Sequence, residues 1–180
     1  MEHLPIFVLQ NQGLFSLKYE GEVFDEFRRV FKLWEDPTYL FEFFTENEAD
    51  LKSWYGGNIS IEDAINITIE DSHMLRKNIL DVFKSNEKNP KYLNNIFLPF
   101  DNETRSSDQG LERCKAKFKK GWLRVYAINV PDDHFVVTGG TIKLTRKMQD
   151  REYTNNELIK ITNGLDYLKT NKFLDQDALK

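Results

Sequence analysis

Apolar and polar residues change period several times along the chain, and each change predicts an element. From Leu14 to Tyr19, Phe15, Leu17 and Tyr19 fall on one face and Ser16 and Lys18 on the other, the period of a strand. Residues 1–13 before it predict an arm, loose or paired to a sheet edge. Glu20-Gly21-Glu22 breaks the strand, and from Val23 the period becomes helical. Val23, Phe27, Val30, Phe31 and Trp34 then share one stripe. Pro37 interrupts it and biases Asp36 away from helical geometry. Leu40, Phe41, Phe43, Phe44 and Leu51 mark a second helical piece. Trp54-Tyr55-Gly56-Gly57 predicts a turn, and Ser60 with Asp63 reads as a capping box that opens a long helix reaching about Phe83. Its stripe is Ile61, Ala64, Ile65, Leu75, Ile79, Val82 and Phe83.

Beyond a polar stretch and the short apolar run from Tyr92 to Phe100, residues 101–110 predict a mobile loop. The texture then turns to strands. Leu111 to Phe118 alternates, with Cys114, Ala116 and Phe118 opposite Arg113, Lys115 and Lys117. Trp122 to Val130 is β-branched and aromatic, Pro131-Asp132-Asp133 predicts a hairpin loop, and His134 to Thr145 returns through Gly139-Gly140. Glycines inside a strand mark a bulge or a close backbone approach. A bulge there would flip the side-chain phase and carry Lys143 to the face that holds Arg124. Thr154-Asn155-Asn156-Glu157 reads as a second capping box, starting a last helix with the stripe Leu158, Ile161, Leu165 and Leu168. Helices and strands are grouped rather than alternating. This predicts a single α+β domain over residues 1–180: an N-terminal strand and helices on a mainly antiparallel sheet of about four strands, then a C-terminal helix. Helices on one face would leave the other face of the sheet free for a ligand.

Composition narrows the class. At 180 residues with 40% apolar content and 14 Phe, the chain can bury a sizeable aromatic-rich core. No apolar run is long enough to span a membrane, and the N-terminus lacks a basic region before its short apolar run, so the expectation is a cytoplasmic protein without a membrane partner. The net charge of -4 conceals a division. Residues 1–110 carry 11 Lys/Arg against 20 Asp/Glu, whereas residues 111–151 carry 10 against 4. A basic block behind an acidic front suggests an anionic partner for the block.

Familiar catalytic signatures are absent. There is no phosphate-binding Gly-rich loop, no dinucleotide fingerprint, no zinc-protease pair and no nucleophile elbow. His3, His73 and His134 have no partner at ligand spacing, and Cys114 lies on the apolar side of its strand, so no metal or cofactor is expected. The basic block is the informative feature. Lys115 and Lys117 share a strand face, Arg124 lies in the next strand, and Lys143, Arg146 and Lys147 lie in or after the last, within reach of one another on a sheet. Trp122, Tyr126 and Tyr153 are interleaved with them. Cations beside ring faces suit a nucleic-acid strand, whose phosphates meet Lys/Arg while its bases stack. The same residues also allow a solvated basic face, or one paired with the acidic front.

The segment from about Lys115 to Leu168 resembles the RelE/HigB/ParE superfamily of bacterial toxins. The resemblance lies in the strand Lys115-Ala116-Lys117, the basic turn Lys119-Lys120-Gly121, and the aromatic-flanked strand Trp122-Leu123-Arg124-Val125-Tyr126. It extends to the Lys-rich stretch from Val137 to Lys147 and to the capped helix after it. It covers roughly a third of the chain by motif and the front half by element order. Such a resemblance implies a toxin neutralised by an antitoxin protein and acting on RNA, in the RelE branch on ribosome-bound mRNA. The RNA's own 2′-hydroxyl attacks the adjacent phosphate, a reaction needing a base, cations for the crowded phosphate and an acid for the leaving oxygen. By analogy Lys115 or Lys117 lies on the base side, Arg124 holds the phosphate, Lys143, Arg146 or Lys147 completes the charge clamp, and Tyr153 stacks or relays a proton. Lys119, Lys120, Trp122 and Tyr126 would contact the RNA. The chain departs from typical members in its length and its acidic front. ParE relatives keep the fold without cutting mRNA, so a toxin-fold module that binds a protein or nucleic acid without catalysis is the alternative.

Overall fold

The structure is a computed structural model that describes residues 1–9, 12–86, 88, 91–100 and 110–170; in the first strand and at Gln12 it describes the backbone alone. The expected loop at 101–110 lies, Gly110 excepted, outside the described residues. The architecture is α+β. Six strands form one sheet: β1 (Glu2–Leu9), β2 (Gln12–Lys18), β3 (Leu98–Pro99), β4 (Glu112–Ala116), β5 (Leu123–Val130) and β6 (His134–Ile142). Their order is β1-β2-β6-β5-β4-β3, antiparallel throughout except for the parallel pair β2 and β6. The residues expected to form an arm are the edge strand of a hairpin with β2.

The front helices are α1 (Glu26–Trp34), α2 (Pro37–Glu46), α3 (Glu48–Tyr55) and α4 (Ile61–Asp81), and α5 (Glu152–Thr170) closes the described chain. Capping explains their starts. Asp25 accepts from the Arg28 amide, Asp36 from Thr38 and Tyr39, and Ser60 from Asp63. Pro37 sits in the first turn of α2, where its missing N–H costs nothing. Val23, expected on the first helical stripe, precedes the cap and is 78% exposed. The second helical piece is divided at Asn47, and α3 ends on left-handed Gly56.

The helices lie on both faces of the sheet. Phe27, Val30, Phe31 and Trp34 of α1, with Phe44, Leu51, Leu75 and Ile79 behind them, pack on Leu14, Val125, Ala127 and Val137. The alternate residues Phe15, Leu17, Ile128, Val130 and Val136 face Leu168 of α5, with Leu165 packed beside them. The expectation of one wholly open face is therefore corrected. Among the described residues, helix α5 covers that face over β2, β6 and part of β5 and leaves open the end built from β4 and the near end of β5. Covering both faces also explains Ser16, on the strand face opposite Phe15 and Leu17. It is buried, and its hydroxyl accepts from the Phe27 amide.

The β5–β6 ladder carries the decisive irregularity. Val130 pairs with His134 and Ala127 with Val137, but Tyr126 pairs with Gly139 and Arg124 with Thr141. Thr138 is the extra residue, one position before the expected glycine pair. Its carbonyl accepts from the Tyr19 hydroxyl. A regular ladder would set residue 140 opposite Arg124 and turn Lys143 to the other face. The bulge sets Thr141 there instead and brings Lys143, two residues on, to the Arg124 side.

Candidate basic site

The open end of the sheet holds a cavity of about 270 Å³. Lys115 and Lys117 enter it from β4 and the residue after it, Arg124 and Tyr126 from β5, and Lys143 and Arg146 from the segment after β6, with Phe100 and Met148 at its margins. Lys115 stands directly opposite Tyr126, so the pleat itself sets cation beside ring. Five of the sequence-selected cations thus line one cavity: Lys115, Lys117, Arg124, Lys143 and Arg146.

Local contacts hold them. Arg124 donates through Nη1 to the carbonyls of Gly121 (2.6 Å) and Leu123 (2.8 Å), which fixes the guanidinium plane. Lys143 donates through Nζ to the Arg146 carbonyl at 2.6 Å. The Lys147 amide donates to Asp150 Oδ2, and Arg151 makes a forked pair with Asp50 of α3 at 2.7 and 2.8 Å. The Arg151–Asp50 pair thereby ties the basic segment to the acidic front at one point.

Tyr126 is 1% exposed and lines the floor of the cavity. Among the described residues its hydroxyl has no hydrogen-bond partner. Burial pushes that hydroxyl's pKa upward against the influence of Arg124, so it remains a proton donor. An unpartnered buried hydroxyl costs about 1–3 kcal/mol.

Other expected site residues lie elsewhere. Trp122 is buried in the main core and donates to Thr68 Oγ1 at 3.0 Å, so it cannot stack on a base. Tyr126 is likewise a floor residue with its edge against Phe100, not an exposed stacking platform. Tyr153 packs edge-on against Phe43 and belongs to the core side, because α5 begins at Glu152 and turns it toward α2. Its buried hydroxyl is pushed up to about 12 by desolvation. Lys147 is exposed outside the cavity, since the strand period ends at Ile142 and the turn that follows points it away. Lys120 is an exposed turn residue, and Lys119 lines a neighbouring hollow instead.

Phe100 and Glu157 are the additions that the sequence pattern does not single out. The Phe100 ring lies 5.6 Å from the Arg113 guanidinium and 5.8 Å from Lys115 Nζ. Glu157, expected as a capping residue, is in the second turn of α5 and buried. The helix starts three residues earlier than the capping reading places it, and Thr154 donates to the carbonyls of Met148 and Arg151. A polar residue four before Ile161 on the helix's buried stripe was the available signal. Glu157 projects over Gly139, where a Cβ would stand 2.1 Å from Oε2. Lys160 lies 3.3 Å away, and Glu26, itself paired with Arg29 and Lys160, completes the cluster.

Desolvation, aided by Glu26 and opposed by Lys160 and Arg29, pushes the Glu157 carboxyl up to about 7. Between pH 4.5 and 7 the unfolded chain has therefore released this proton while the folded chain keeps it. The sign is a loss of stability as pH rises through that window, on the order of 3 kcal/mol, with no further loss above it. Urea denaturation at pH 5 and pH 8 is expected to show this fall in the wild type and a smaller one in Glu157→Gln. Equal pH slopes in the two proteins would contradict it.

Among the described residues, no group of three or more His, Cys, Asp or Glu side chains is placed to hold a metal ion, and no helix is long and apolar enough to cross a membrane. No family model, curated protein or solved structure matches the chain.

Proposed function

We propose that this chain is a RelE/HigB-like toxin that cleaves RNA, with ribosome-bound mRNA as its substrate and an antitoxin protein as its neutralising partner. The observation that carries the reading is the convergence of Lys115, Lys117, Arg124, Lys143 and Arg146 on one cavity, beside the Tyr126 side chain. Such a site offers positive charge where a phosphate would gather negative charge, in a recess that limits water.

In this reading Lys115 or Lys117 takes the proton from a ribose 2′-hydroxyl. The freed oxygen attacks the adjacent phosphorus, and the bond to the 5′-oxygen of the next nucleotide breaks. The products are a 2′,3′-cyclic phosphate and a 5′-hydroxyl. Arg124, with its plane fixed by two backbone carbonyls, holds the phosphate oxygens, while Lys143 and Arg146 add charge from the opposite side. Tyr126, whose side chain lines the cavity, takes in this reading the donor role toward the leaving oxygen in place of Tyr153.

Induced expression in bacteria tests this. Growth is expected to stop and mRNAs to shorten, with both effects lost in the double variant Lys115→Ala, Lys117→Ala. Full-length mRNA in arrested cells would reject the nuclease and favour binding without cleavage.

A further inference from the structure

A second hollow of about 330 Å³ opens on the other side of the same two lysines. Lys115 and Lys117 line both spaces, so a strand whose phosphate occupies the basic cavity has the hollow directly beside it. Its walls differ from those of the cavity. Leu75 of α4, Ile96 and the half-exposed Leu98 of β3 supply apolar surface. Asn78 of α4 and Asn95, in the turn before β3, are both exposed and supply amides. Lys119 stands at the margin, held in left-handed backbone (φ 51°), with its ammonium 4.9 Å from the centre of the Phe118 ring.

Resting on the ribonuclease reading, we infer that this hollow seats a nucleobase adjoining the scissile phosphate and that Asn78 and Asn95 read its edge. Apolar walls accept the faces of a flat ring. An amide carries a donor and an acceptor side by side, the pattern needed to pair with a base edge. Lys119 then meets the following phosphate. Single-stranded RNA is the occupant this chemistry fits: among the described residues three of those lining the hollow are lysines and none is acidic, which matches a polyanion with an uncharged planar group between its charges. The α4 and β3 walls belong to the front half, so its elaboration would set base preference while the strands supply the chemistry.

Fluorescence anisotropy at low salt tests this with labelled five-nucleotide RNAs of A, C or U and an abasic strand of equal length, all 2′-O-methylated to block cleavage. The wild type is expected to bind at least one base-bearing strand about tenfold more tightly than the abasic one. Asn78→Ala with Asn95→Ala, both at exposed positions, is expected to bind the base-bearing strands equally. Arg124→Ala is expected to weaken every strand and keep their ranking. A ranking preserved in the asparagine variant, or no preference over the abasic strand in the wild type, would overturn the base site while leaving RNA binding in place. Failure of the wild type to bind any strand would overturn the ribonuclease reading along with it.

Discussion

Arg124→Ala is expected to lower RNA cleavage about 100- to 1,000-fold, the range seen when one preorganised donor to a developing oxyanion is removed. Two features set the size of this effect. The guanidinium is a planar cation of the cavity, and its orientation is fixed by the carbonyls of Gly121 and Leu123. Restoring charge with Lys at this position is expected to recover only part of the rate, since a single ammonium cannot hold two phosphate oxygens in a fixed fork. The fold should survive, because the hydrogen bonds lost contribute about 1 kcal/mol each and the side chain is only half-buried. Circular dichroism matching the wild type, beside lost cleavage, is the expected pair of results. Retained cleavage would remove Arg124 from the mechanism.

The second large effect is on stability. Gly140→Ala is expected to destabilise the protein by about 2–3 kcal/mol, the usual cost of forcing extra volume into a packed site. A Cβ there would stand 2.8 Å from the Arg124 carbonyl oxygen and 2.8 Å from Val30 Cγ1, with Trp34 at 3.2 Å. Backbone and a buried helix both border the space, so neither neighbour can turn away. The same substitution strains the ladder just past Thr138, where the bulge sets the phase that brings Lys143 to Arg124. A lower urea midpoint is the readout, and an unchanged midpoint would show that β6 can shift away from α1.

The parts legible in the sequence are those governed by local period. The β4-β5-β6 meander was readable from alternation and the Asp132-Asp133 turn, both of whose residues adopt positive φ. Five cavity cations were readable because opposed strand positions are fixed once register is known. What the pattern could not supply depends on distant pairing. Phe100 reaches the cavity because Leu98 pairs with Lys115 and Pro99 with Cys114, a contact with no local signature. The parallel pairing of β2 with β6 puts α5 on the face expected to be open. Trp122 and Tyr153 show the limit of reading aromatics beside cations as stacking rings. Trp122, just before β5, and Tyr153, in the first turn of α5, are both turned into the core, where apolar burial outweighs an exposed position.

Attack by the RNA's own 2′-hydroxyl within the basic cavity is tested most directly by the chemistry of the cut ends. RNA recovered after induction of the wild-type chain, mapped at each new end, should carry 2′,3′-cyclic phosphate on the upstream fragment and 5′-hydroxyl on the downstream one, with neither in cells expressing Arg124→Ala. New ends carrying 3′-hydroxyl and 5′-phosphate, or no new ends at all, would contradict it.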